Sequence, residues 1–364
     1  MAWILDATLR EGAQSPDARM TRRRQVAILR GLAAVGVDEA EIGCASRDAD
    51  LTGLVRSARR VAPGLRLSVW CRGLPVDLAI GAASGADVVH ASLPASRLHL
   101  ERRLGKDTAW LLEQIPRAAE AARRAGARRV ALGLEDATRA DEATLVAACR
   151  RAREAGFERI RLADTVSAAA PARMAALVRL ASDHFAGPVG VHCHDDFGLA
   201  TGNAVAAIEA GAAWADGCLL GGGERAGTAR TEALCAWLAV QRGAGYRLDQ
   251  LPTLARQAGR ALGRPVARHA AVVGAGIWQV ASGLHVDGLA KEPATYEPFA
   301  PERVGAERSL LLGAQSGHAA IRQALAGLGL DHGPAACAQA LVRVRAFRAP
   351  CPSTQLRSVI AVVP

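Results

Sequence analysis

Near the N-terminus, Asp6-Ala-Thr-Leu-Arg10-Glu11-Gly-Ala-Gln14 places three charged side chains and an amide directly after an apolar strand-like run. A strand-to-helix turn needs only a cap there, so this crowding points to chemistry at the C-terminal end of a strand. The plainer alternative is a capped turn in which Asp6 pairs with Arg10. A second stretch, Val-His192-Cys-His194-Asp195-Asp196, ends another apolar run. Residues i and i+2 of a strand share a face, so both imidazoles project together and Cys193 turns away into packing. Two histidines beside acidic residues suit a divalent metal; two structural histidines at a polar strand end are the simpler reading. Glu11 would complete a carboxylate-plus-two-histidine triad, which leaves coordination positions open to a substrate. That requires the first and seventh strands to approach each other, as they do only in a closed sheet.

A third stretch, Gly221-Gly-Gly-Glu224-Arg225-Ala-Gly227, follows the last strand-like run. Its glycines allow backbone N–H groups to come close to an anion; a flexible turn tied by Glu224 and Arg225 is the equal alternative. Farther on, His285 and Tyr296 stand out only weakly by themselves, although Tyr296 is one of just two tyrosines.

The elements that must position these residues recur about every 25 to 35 residues, the length of a βα unit. Strands are expected at 3–5, 39–42, 67–70, 87–91, 129–132, 159–162, 189–192 and 217–220, with helices at 22–35, 108–125, 142–155 and 172–182 between or after them. Glycines such as Gly36, Gly126 and Gly156 mark the returns to strands. Eight such units predict an α/β fold, a (β/α)8 TIM barrel over 1–245, with a C-terminal mainly helical region over 246–364 that contributes to the active site. A doubly wound sheet is the alternative.

Composition narrows the function. The 364 residues are 50% apolar, 4% aromatic and carry a net charge of +10. Lysine occurs only at 106 and 291, so the positive charge is arginine scattered along helices, without the aromatic stacking residues of a nucleic-acid binder. No nucleic-acid partner is expected. No apolar run reaches the ~20 residues of a membrane helix, and no signal peptide precedes the first strand. The eight cysteines include no CxxC pair, which fits reduced, buried thiols in a cytoplasmic protein.

Read in order, DATLREGAQ, LEDATRAD, LADTV, HCHDDFGLATGN, GGGERAG and VVGAGIWQVASGLHVDG cover nearly the whole chain. Together they resemble the metal-dependent barrel condensing enzymes that include homocitrate, 2-isopropylmalate and citramalate synthases. VWCRGLPVDLA, LPASRLHL and GLHVDGLAK resemble the homocitrate synthases of nitrogen-fixing bacteria in particular. The resemblance implies a divalent metal (Mg, Mn or Zn) on Glu11, His192 and His194, with acetyl-CoA as co-substrate. It implies that Arg10 stabilises charge developing on the 2-oxo oxygen and that Gln14, Glu41 and Thr165 line the oxo-acid pocket. His285 and Tyr296 would assist proton transfer, from the same or a neighbouring subunit of a homodimer. The sequence departs from the family pattern at Leu220 and Thr228, where asparagines are usual, at Ser167, usually glycine, and in Gly313-Ala-Gln-Ser-Gly317, commonly GKHSG.

The activity this implies is a Claisen condensation of acetyl-CoA with the small molecule 2-oxoglutarate, giving homocitrate and CoA. The lysine-pathway branch normally supplies an arginine where Ala131 stands, whereas the nitrogen-fixation branch also lacks it. Asp195 and a chain ending at Pro364, with no room for a regulatory domain, lean against 2-isopropylmalate synthase. Condensation with 2-oxoisovalerate or pyruvate remains the near alternative. From other classes come a 2-oxoglutarate-dependent iron oxygenase, which would hold its triad on an antiparallel β-fold, and a non-catalytic ligand-binding descendant.

Overall fold

The computed structural model describes residues 1–346 and 350–361. The chain forms two compact units, 1–266 and 267–364. In the first, eight parallel strands close into a barrel: β1 (Trp3–Asp6), β2 (Glu39–Cys44), β3 (Arg66–Arg72), β4 (Val88–Pro94), β5 (Val130–Glu135), β6 (Arg159–Asp164), β7 (Val189–Cys193) and β8 (Trp214–Gly217). Closure comes from β1, which pairs with β2 on one side and with β8 on the other, Trp3 opposite Trp214 and Asp6 opposite Gly217. The doubly wound alternative is thereby set aside.

Helices α1 (Arg22–Val35), α2 (Leu51–Val61), α3 (Pro75–Ala83), α4 (Thr108–Arg124), α5 (Glu142–Glu154), α6 (Pro171–Phe185), α7 (Ala200–Glu209) and α8 (Thr231–Gln241) follow the strands in turn. Local sequence sets their ends. Thr21 caps α1 by accepting from the N–H of Arg24, and Gly36 ends it at φ 89°, a conformation that costs a side-chain-bearing residue about 1 kcal/mol. The units divide later than the boundary expected at 245, because α9 (Leu251–Leu262) packs on α1. Gly31 allows this approach: a Cβ there would lie 2.6 Å from Leu254 Cδ1.

Several inward positions of the strands are charged, among them Glu39, Glu41, Arg159, Arg161 and Asp216. At the N-terminal end of the barrel Arg159 donates two hydrogen bonds, 2.8 and 2.6 Å long, to Glu39. Its guanidinium lies over Trp3 and Trp214, which stack with centroids 5.1 Å apart. Gly190 makes room for this layer, since a Cβ on it would fall 2.0 Å from the Trp214 ring. The outward positions (Ile160 and Leu162 on β6, Val189 and Val191 on β7) are fully buried beneath the helices.

The eighth strand was expected at 217–220 and instead runs from Trp214 to Gly217. Leu219–Gly221 forms a short 3-10 turn in which Leu220 has φ 57°. All eight cysteines are free, and seven are buried. Among the described residues no helix is long and apolar enough to cross a membrane.

The second unit is mainly helical: α10 (Gly283–Lys291), α11 (His318–Gly327), α12 (Pro334–Arg345) and α13 (Leu356–Ala361). It also holds a three-stranded sheet that the sequence pattern did not show: β9 (Gln279–Val280), β10 (Ser309–Leu312) and β11 (Cys351–Pro352), in the order β11-β10-β9. Ile321, Leu325, Leu341, Val344 and Leu356 form its core.

Candidate active site

The turn after β1 carries Arg10 and Glu11, and the end of β7 carries His192, with His194 just beyond it. Barrel closure brings the two segments together across β8. One ligand atom each from Glu11, His192 and His194 lies within 4.8 Å of the others, and all three residues are buried. Nε2 of His192 and Nδ1 of His194 have no hydrogen-bond partner. His192 is turned by Asp216, whose Oδ2 lies 3.0 Å from Nδ1. With the ring proton on that nitrogen, Nε2 presents a lone pair toward Glu11 Oε2, 3.9 Å away. Two electron-pair donors so opposed in a buried site can hold a cation between them, and the donor set fits a divalent metal.

Electrostatics agree. Burial works to raise the Glu11 carboxyl, but Arg10, His192 and His194 outweigh it and hold it at about 2. Burial, reinforced by Arg10, pushes His192 well below the usual histidine range; burial also lowers His194. The ligands are therefore held in their metal-binding protonation states at neutral pH. Arg10 donates through Nε to Glu41 at 2.6 Å and through Nη1 to Glu11. Burial would lower its pKa, yet Glu41 and Glu11 hold it above the ordinary value, so it stays cationic.

Asp6 does not pair with Arg10. It accepts from Thr8 and from Thr231, fastening β1 to α8. The glycine-rich loop after β8 does approach an anion, and that anion is Glu11: the N–H of Glu224 donates to Oε1 at 3.3 Å. Gly227 has φ 99°, and a Cβ on it would lie 1.8 Å from the Gly221 carbonyl oxygen, so only glycine lets the loop fold so tightly. Arg225 turns from Glu224 to pair with Asp196 and the Thr165 carbonyl. Asp195 caps α7 by accepting from the Ala200 N–H.

A cavity of about 460 Å³ opens at this centre, a size common for small-molecule sites. Gln14 and Thr165 line it; Gln14 donates to Glu11, and Thr165 Oγ1 accepts from the Asp136 N–H. Glu41 is not on its surface. It is fully buried with both oxygens occupied, by Arg10 and by Arg161 at 3.0 Å. It anchors two arginines, one of which, Arg161, lines the cavity.

Three residues escaped the sequence reading. Arg161 on β6 and Asp216 on β8 occupy inward positions and pair at 2.7 Å. Glu135, ending β5, faces the cavity and is held by Ser92 at 3.1 Å and Arg103 at 2.6 Å. Strand parity was the available signal: Arg159 and Arg161 share the face opposite Ile160 and Leu162. In the second unit His285 and Tyr296 come together, ring centroids 4.2 Å apart, lining a hollow with Trp278, Leu289 and Phe299.

Comparison with known proteins places the whole assembly. Residues 2–257 match the HMGL-like family model, and residues 272–350 match the homocitrate synthase post-HMGL domain-like model. Homocitrate synthase of Frankia alni is 38% identical over 326 residues, covering 88% of this chain and 92% of that protein. A putative (R)-citramalate synthase of Methanosphaerula palustris is 34% identical, covering 94% and 68%. The HMG-CoA lyase structure from Bacillus subtilis superposes with a TM-score of 0.65 at 19% identity, covering 74% of this chain and 96% of that one, a likeness of fold. The chain belongs to the HMGL-like family of metal-dependent barrel enzymes, a family of acyl-CoA condensation and lyase chemistry that includes the homocitrate, 2-isopropylmalate and citramalate synthases.

Proposed function

We propose that the chain is a homocitrate synthase of the nitrogen-fixation type, condensing acetyl-CoA with 2-oxoglutarate to give homocitrate and CoA, as a cytoplasmic homodimer. The observation that carries this reading is the buried Glu11–His192–His194 centre beside Arg10, in a cavity also lined by Arg47, Arg72, Arg103, Arg161 and Arg225. Each of those arginines pairs with a carboxylate of the protein, and its remaining N–H groups suit an acceptor with a carboxylate at each end. The likeness to the Frankia homocitrate synthase supports the same choice.

A divalent cation held by Glu11, His192 and His194 supplies Lewis acidity toward a carbonyl oxygen. Arg10, fixed by Glu41, aims a permanent positive charge at the oxygen that becomes an alkoxide as the new carbon–carbon bond forms. Gln14 and Thr165 present an amide and a hydroxyl to the acceptor. His285 takes a proton from the acetyl methyl group, a role for which imidazole is suited, and Tyr296 stands beside it. Hydrolysis of the thioester then makes the reaction effectively irreversible.

The iron-oxygenase alternative needs its triad on an antiparallel fold; a closed parallel barrel carries it here, which removes that reading. The test is release of free CoA from acetyl-CoA against a panel of 2-oxo acids, with and without divalent metal. Preference for 2-oxoglutarate is expected. Preference for 2-oxoisovalerate or pyruvate would move the chain to 2-isopropylmalate or citramalate synthesis. Metal affinity without CoA release under any condition would make it a ligand-binding descendant.

A further inference from the structure

Arg161 is an unusual arginine. Its side chain is 3% exposed, and Nη1 alone meets both buried carboxylates, Glu41 at 3.0 Å and Asp216 at 2.7 Å. Among the described residues Nε and Nη2 have no hydrogen-bond partner. They are also not sealed from solvent, unlike Nε of Arg159 one layer below. Arg161 is among the residues that line the cavity.

The neighbouring strand β5 sends no long side chain across the Nε–Nη2 edge; His90 and Ser92 of β4 fill the space above Gly133. On β5, Gly133 stands in register with Arg161 and Ala131 with Arg159. Neither has a side chain long enough to cross the guanidinium. No larger residue fits at 133, because a Cβ there would come within 2.7 Å of His90 Nε2. Asp216 touches both Arg161 Nη1 and His192 Nδ1. One carboxylate oxygen thus links Arg161 to the metal-binding histidine, and Arg161 lines the same cavity as Glu11, His192 and His194.

We infer that Arg161 selects a dicarboxylic acceptor: its Nε–Nη2 edge receives the far carboxylate of a 2-oxo acid whose near end lies at the Glu11–His192–His194 centre. The inference rests on the condensing reading proposed above and names the residue that chooses among acceptors. Glu41 and Asp216 fix the guanidinium from beneath, so its fork is oriented before the ligand arrives, as bidentate carboxylate recognition requires.

The test is calorimetric binding of 2-oxoglutarate and of 2-oxobutyrate, which lacks the far carboxylate, to the manganese-loaded protein. Wild type, R161K and R161Q are compared. The preference for 2-oxoglutarate should fall at least 30-fold in R161Q and by an intermediate factor in R161K, which keeps a cation between Glu41 and Asp216. Equal weakening of both acids in both variants, or an unchanged ratio, would overturn the assignment and leave Arg161 a structural residue. Manganese affinity measured alongside shows whether the centre survives. CoA release by wild type judges the condensing reading separately: absence of release despite selective binding would sink that reading and spare the assignment.

Discussion

Oδ2 of Asp216 lies 3.0 Å from Nδ1 of His192, and the contact closes a chain of alternating groups through the barrel interior. From Arg10 it passes to Glu41, then Arg161, then Asp216 and back to His192 beside Glu11. Every member is at most 7% exposed. Arg10, proposed to face the developing alkoxide, and His192, proposed to hold the metal, are thus positioned by the same buried network, at a depth where unpaired charges are costly.

Replacing Asp216 with asparagine should therefore weaken divalent metal binding about 10- to 100-fold, the usual loss when the partner of a ligating histidine is removed. Competition against a fluorescent chelator measures it. An unchanged affinity would mean that His192 is oriented without Asp216.

The lower layer should behave differently. Glu39→Ala strands Arg159 without its bidentate partner, and removing one member of a buried pair costs about 3–5 kcal/mol. Urea unfolding should register that loss while metal affinity stays near the wild-type value, since Glu39 touches no residue of the centre. A parallel fall in metal affinity would show that the two layers are coupled.

Much of this was legible in the sequence because strand ends and motifs coincide in a barrel. DATLREGAQ and HCHDD each follow an apolar run, and the i, i+2 rule put both histidines on one face. The eighth strand was misplaced because Cys218-Leu-Leu220 is more apolar than Trp214-Ala-Asp-Gly217, although the latter is the paired segment. Arg161 and Asp216 went unread because charged strand residues usually face solvent; only parity compared across β2, β6 and β8 reveals a charged interior. Glu41 was expected to line the oxo-acid pocket; it is fully buried with both oxygens bound to arginines, a depth that spacing does not encode. The small second sheet escaped because β9 and β11 have two residues each, too few to show a period.

Two of the family departures have a backbone signature. Ser167 has φ 54° where glycine is usual, and Leu220 has φ 57° where asparagine is usual, both in the left-handed region. Ser167 is partly compensated, because its hydroxyl donates to Asp196 Oδ2 at 2.8 Å and accepts from the Asp196 N–H at 3.0 Å. Ser167→Ala loses those bonds and keeps the strain; Ser167→Gly loses the bonds and relieves it. The glycine variant should be more stable than the alanine variant by about 1 kcal/mol, read from urea midpoints at equal m-values. The reverse order would contradict a strained position 167.

His285 and Tyr296, in contact in the second unit, lead to a kinetic prediction. His285→Ala should keep metal and oxo-acid binding yet lose CoA release, because a base removed from the acetyl methyl affects the chemical step alone. Unchanged turnover would take His285 out of the mechanism.

Glu232 at the start of α8 gives the fold its own pH dependence. It is fully buried; Oε2 accepts from the Leu220 N–H at 3.0 Å, and Oε1 has no partner. Burial raises its carboxyl to about 7 against an ordinary 4.5. The folded state thus holds a proton that the unfolded chain releases near pH 4.5. This favours folding fully below that pH and is lost as pH rises to about 7. Over the window the group's contribution to stability should decline by roughly 3 kcal/mol, at 1.36 kcal/mol per unit. Glu232→Gln keeps the shape without the charge, so the variant should lack this part of the decline and gain on wild type as pH increases from 4.5 to 7. Urea midpoints at half-unit pH steps decide it: parallel curves for the two proteins would mean that Glu232 remains ionised within the fold.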